Sequence, residues 1–141
     1  YSQIPTRWID QGATRAIILC TTPNRYTAGL VEVHLKQYFS DRTNWRKMLS
    51  GNFEEPNFDE CYLQAKQYLE QEFSQYLIKS EWVEINYPID STPDKINSLS
   101  FDKEPIYEDV LTGIKGQYLI FKNNRVLNIR KHTGYSIEIN Y

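Results

Sequence analysis

Cysteine and histidine are scarce in this 141-residue sequence, two of each, and long apolar runs are missing. Each scarcity excludes something. Cys20 and Cys61 are far apart and sit inside apolar patterns, so they read as buried, reduced thiols rather than a disulfide framework or a zinc site. That reading places the chain in a reducing cytoplasm. His34 and His132 stand alone, without metal-ligand spacing: His34 falls at the edge of a helical apolar face, and His132 falls in a turn beside Arg130 and Lys131. No stretch approaches the roughly 18 apolar residues that a spanning helix needs. Phosphate loops, dinucleotide glycine fingerprints, paired-cysteine motifs and nucleophile elbows are all missing.

Aromatic residues are plentiful at 14%, with eleven tyrosines, enough to build the core of one domain or of two small lobes. The net charge of -2 hides an uneven distribution. Residues 1–50 hold seven Lys/Arg against three Asp/Glu, and residues 51–112 hold four against fourteen. Residues 113–141 return to five against one. Two basic ends therefore flank an acidic middle. They either complement it or gather into an anion-facing surface.

Periodicity divides the chain. Pro5 suits the first turn of a helix and Gly12 its C-terminal stop. "ATRAIILCTT" is a compact β-branched run that reads as a buried strand. In the next stretch Ala28, Val31, Leu35, Tyr38 and Phe39 line one helical face. Thr43 can cap a short helix through Leu49. Phe58, Tyr62, Ala65, Leu69, Phe73 and Tyr76 form a second stripe, a helix of about five turns. After Ser80 the period becomes two, with Val83, Ile85 and Tyr87 on one face. "DSTPDKINSLSFDKEP" reads as a loop, and the tail as three or four antiparallel strands. Asn123-Asn124 marks a tight turn, and Gly113 and Gly116 mark a bulge or bend. Tyr135, Ile137, Ile139 and Tyr141 alternate with polar residues, the pattern of a strand with one buried face. The expected fold is α+β: an α/β lobe over residues 1–80, then an antiparallel, barrel-like β unit over 81–141.

Three groups of residues carry possible chemistry. Glu32 falls beside the first helical stripe, where a half-covered carboxylate can hold a divalent cation or simply pair with a neighbouring base. Lys115, Arg130 and Lys131 lie close to bends, where side chains escape the core. With Lys122, Arg125, Tyr118, Phe121 and Tyr135 they interleave cations and aromatics, as surfaces that bind single-stranded nucleic acid do. Strand alternation turns several of those rings inward, so structural packing stands as the competing reading. The strand edge at Ile17–Leu19, if uncovered, invites pairing with a second copy.

"IPTRWIDQGATRAI", "GLVEVHL", "TNWRKML" and above all "GIKGQYLIF" with "VLNIRKHTGY" resemble the C-terminal half of the bacterial family called domain of unknown function 2797. That family has no established activity. The resemblance implies an upstream part with cysteine pairs like a zinc site. A looser resemblance, in the order of elements, is to the GIY-YIG nuclease fold. It implies that Arg7 and Glu32 stand where that fold places its functional arginine and its metal-binding glutamate, with Mg or Mn as the cofactor of a longer protein. It also implies that a tyrosine-bearing hairpin precedes Tyr1. The expected function is a nucleic-acid-associated module, non-catalytic as it stands. The alternatives are a metal-dependent nuclease when completed, and a protein-interaction module whose acidic middle docks a basic partner.

Overall fold

The computed structural model describes residues 7–40, 42–51, 54 and 56–140. Their contacts divide them into two compact units that interleave along the chain. One, the β unit, comprises the described residues of 1–14, 45–53 and 85–141. The other, the helical unit, comprises the described residues of 15–44 and 54–84.

The helical unit contains helices α2 (Arg25–Leu35) and α4 (Phe58–Glu70) and a two-stranded antiparallel ladder of β1 (Arg15–Ala16) and β2 (Val83–Glu84). Both helices start on an asparagine that caps them. Asn24 Oδ1 accepts from Thr27 N at 2.9 Å, and Asn57 Oδ1 from Glu60 N at 3.2 Å. Val31, His34, Ala65 and Leu69 are buried between the helices. The expected stripe holds at Val31, Ala65 and Leu69, but α4 stops at Glu70 and is shorter than five turns. Phe73 precedes and Tyr76 ends a 3-10 turn at Ser74–Tyr76, and their rings still face each other at 6.5 Å. "ATRAIILCTT" is not a buried strand. Beyond Ala16 it makes one bridge, Cys20 to Leu77, and Ile18 is 59% exposed. A two-stranded ladder covers too little of such a run to bury both faces.

The β unit begins with α1 (Arg7–Asp10) and α3 (Trp45–Leu49). Pro5, the expected helix start, lies outside the described residues. Gly12, at φ 82°, ends α1 as expected of a helix stop. The sheet has four strands in the order β3 (Asn97–Leu99), β6 (Arg125–Asn128), β5 (Tyr118–Phe121), β4 (Leu111–Lys115). Asn124 takes φ 59° in the β5–β6 turn, and the register shifts between Leu111 and Gly113, a bulge. Both follow from the local sequence.

Three expectations give way here. The sheet is open, and no closed barrel forms among the described residues. It is not wholly antiparallel, because β3, inside the segment read as a loop, pairs parallel to β6. Residues 136–140 form no strand, and their side chains are exposed; Tyr141 lies outside the described residues. The core beneath the sheet is Leu49, Tyr118, Ile120 and Val126, with Trp45, Met48 and Ile96 packed against it.

The β4–β5 hairpin closes on the end of α1. Gly116, at φ 57°, leaves no room for a side chain, since a Cβ there would lie 2.4 Å from Asp10 O. That contact lets Gln117 N donate to Asp10 O at 2.8 Å. Tyr87 Oη stands 2.9 Å from Ile9 O and 2.8 Å from Ala13 O. Carbonyls at and just past the end of the helix thereby gain partners from distant parts of the chain.

Candidate functional site

The cations that the sequence singled out meet different fates. Lys115 does not escape the core: it is half-buried, and its Nζ donates to Met48 O at 2.8 Å, at the end of α3. Arg125 pairs with Glu104 and lies over the Tyr107 ring at 5.4 Å. Arg130 and Lys131, in contrast, are exposed, and no ion pair involves either of them among the described residues.

A short 3-10 turn, Ile129–His132, presents these two side chains. Asn128 starts it, its Oδ1 accepting from Arg130 N at 3.1 Å. Thr133 Oγ1 closes it on Arg130 O at 2.9 Å. His132 anchors it from below. The ring is buried, with Nδ1 3.1 Å from Asn128 O and Nε2 3.1 Å from Phe101 N. A backbone N–H only donates and a carbonyl only accepts, so the ring is neutral, with its proton on Nδ1. The sequence suggested a plain turn residue; it is the peg that fixes the turn. Edge-on contacts to Phe101 at 5.1 Å and Tyr135 at 5.3 Å complete its surroundings.

Lys131 lines a cavity of about 100 Å³ with Trp45, Ser98, Tyr118, Val126 and Asn128. Trp45 and Tyr118 are stacked nearly parallel, with centroids 5.6 Å apart, and the Arg46 guanidinium lies 4.4 Å from the centre of the Trp45 ring. The sequence did not point to Trp45, Arg46 or Asn128. Their meeting joins α3 to a strand end some eighty residues later, and no spacing rule signals that. Tyr118 was named, but it is buried and serves as backing for Trp45.

Near the far end of β4, Tyr107 Oη donates to Asp109 Oδ2 at 2.7 Å, and Asp109 also accepts from Val110 N and Asn123 N. Burial, then the bond to Asp109, pushes the Tyr107 phenol up to about 12. The same hydrogen bond holds the Asp109 carboxyl below its ordinary value.

Arg7, in the β unit, is exposed. Glu32, in the helical unit, is not half covered: its side chain is 68% exposed and reaches Lys36 Nζ at 3.1 Å, one turn on. A glutamate just off the stripe turns mostly toward solvent when Val31 and His34 are the residues its helix buries. Among the described residues no three His, Cys, Asp or Glu side chains converge as metal ligands. Cys20 and Cys61 are free thiols and half-buried, and burial pushes the Cys20 thiol up. No helix among the described residues is long and apolar enough to cross a membrane.

The architecture defines an α+β protein with small sheets and four helices among the described residues. The chain belongs to the family described as "Protein of unknown function (DUF2797)", whose model matches residues 1–137. The match runs over essentially the whole chain and is not confined to a C-terminal half. The likeness to the GIY-YIG fold is not shown. No curated protein and no solved structure matches the chain.

Proposed function

We propose that this protein is a non-catalytic, nucleic-acid-associated module that works in the cytoplasm, with its contact surface in the β unit. One observation supports the reading. Lys131 and Asn128 line the same small cavity as Trp45, whose ring carries the Arg46 guanidinium. Single strands are held by cations on phosphates and by flat groups under the bases. A base arriving here either stacks on the guanidinium plane or displaces it from the indole.

The test is titration of single-stranded DNA and RNA at several salt concentrations, followed by fluorescence anisotropy. Replacing Arg130 and Lys131 together by Ala should weaken binding across sequences and lower the slope of log affinity against log salt by roughly 1–2. Stability should stay within about 0.5 kcal/mol, since both side chains are exposed. Lys115→Ala provides the contrast: it removes the bond to Met48 O and should lower stability more than it lowers the slope. No binding at low salt removes this reading.

A protein-interaction role is the second reading. Tyr26, Leu30 and Val33 stand exposed at one-turn intervals on α2, and the acidic middle of the sequence suits a basic partner. Homodimerisation through the edge at Ile17–Leu19 belongs to the same reading, and a monomer at high concentration would count against it. The nuclease reading, with a GIY-YIG-like lobe, Arg7, Glu32 and Mg or Mn, rests on the resemblance alone. Mg²⁺-dependent cleavage by a longer protein is its test.

A further inference from the structure

The strand pattern at Tyr135, Ile137 and Ile139 has no strand to belong to. These side chains are 47%, 50% and 77% exposed, and alternate with Ser136, Glu138 and Asn140. Isoleucines at period two stabilise a chain only when one face is covered and the backbone is paired. Here the sole backbone hydrogen bond among the described residues of this segment is Tyr135 N to His132 O at 3.2 Å. The root is nevertheless held: Tyr135 Oη donates to Asp102, and its ring sits edge-on to His132.

The same unit carries a matching acceptor. The sheet has two outer strands, and they differ. β4 is covered by residues 88–90, through Asp90 N to Thr112 O and Ile114 N to Pro88 O, both 2.8 Å. β3 is bonded to β6 on one side, and its other side has no strand partner among the described residues. An open edge and a strand-patterned segment in one chain form a self-complementary pair.

We infer that residues 136–140 are a donor strand that adds to the β3 edge of a second copy of this chain. Within its own chain the segment makes no backbone bond to β3 among the described residues. Reciprocal exchange satisfies both elements at once and closes as a two-fold dimer rather than a fibre.

Analytical ultracentrifugation of the full chain across micromolar concentrations tests this, together with amide hydrogen exchange of residues 136–140. The expected result is a dimer, with exchange protection at 136–140 that rises with concentration. Ile137→Asp with Ile139→Asp alters only side chains at least half exposed in the single copy, so it should leave folding intact and raise the dimer Kd at least about tenfold. A monomer at hundreds of micromolar overturns the inference. So does a dimer that is insensitive to the double variant, or protection that does not depend on concentration. A dimer whose protection maps to Ile17–Leu19 instead also overturns it and leaves the other edge as the interface.

Discussion

The β unit and the helical unit bury themselves in different ways. Among the described residues, the β unit buries the apolar side chains Leu49, Leu99, Tyr118, Ile120, Val126 and Leu127, and the helical unit only Val31, Ala65 and Leu69. The helical unit relies instead on half-exposed rings. Tyr38 stacks on Tyr68 with centroids 3.6 Å apart, and the Arg15 guanidinium lies over Phe58 and Trp82, 5.1 and 4.8 Å from their centres. Each unit also holds one buried histidine. His132 has both nitrogens on backbone groups, whereas His34 has Nε2 on Tyr68 O at 3.1 Å and Nδ1 3.7 Å from a Glu72 carboxylate oxygen. The first histidine is a fixed part of a core, and the second lies at a packed surface. A four-stranded sheet has a face large enough to close over; two helices leave one side of each uncovered.

Core truncation should show the largest difference. Ile120→Ala removes a side chain wedged under a sheet that cannot collapse, and should cost about 3–5 kcal/mol. Leu69→Ala lies between two helices that can close up, and should cost nearer about 2–3 kcal/mol. Urea denaturation of both variants checks this, and equal costs would break the comparison.

The two histidines should separate next. His132→Ala leaves Phe101 N–H and Asn128 C=O without partners, at about 1–3 kcal/mol for each buried group. His34→Ala strands only the Tyr68 carbonyl and should cost less. Thermal melts at neutral pH, read by circular dichroism, compare them directly.

A smaller effect should appear in alkali, with the Tyr107 phenol of the β unit as its main source. The Tyr107 phenol is raised from 10.0 to about 12 in the fold. A raised pKa means that its contribution is complete below the unfolded value and is lost as pH rises through the folded one. Stability should therefore decline between about pH 10 and 12, and Tyr107→Phe should flatten that decline. Ultraviolet phenolate titration of the folded protein follows the same group.

The smallest effect belongs to Glu32. An exposed pair one helical turn apart contributes about 0.3–0.5 kcal/mol, so Glu32→Gln should change stability by no more than that. A larger loss would show that the helical unit depends on charge more than its geometry indicates.

What the sequence determined by itself is what neighbouring residues decide. Asparagine caps start α2 and α4, because a side-chain oxygen three residues from an N–H suffices. Gly12, Gly116 and Asn124 take positive φ at turns, where backbone sterics alone select them. The bulge at Gly113 and the period change near residue 80 are local in the same sense. The tertiary structure decided whatever needed a distant partner. β3 hides in a segment read as a loop because its parallel mate arrives nearly thirty residues later. Lys115 is drawn to a carbonyl on α3, His132 to the amide of Phe101, and Trp45 to the ring of Tyr118. The tail shows the limit most plainly. Its alternation fits it to be a strand, but a strand is a paired object, and pairing is set by which edge is free to receive it.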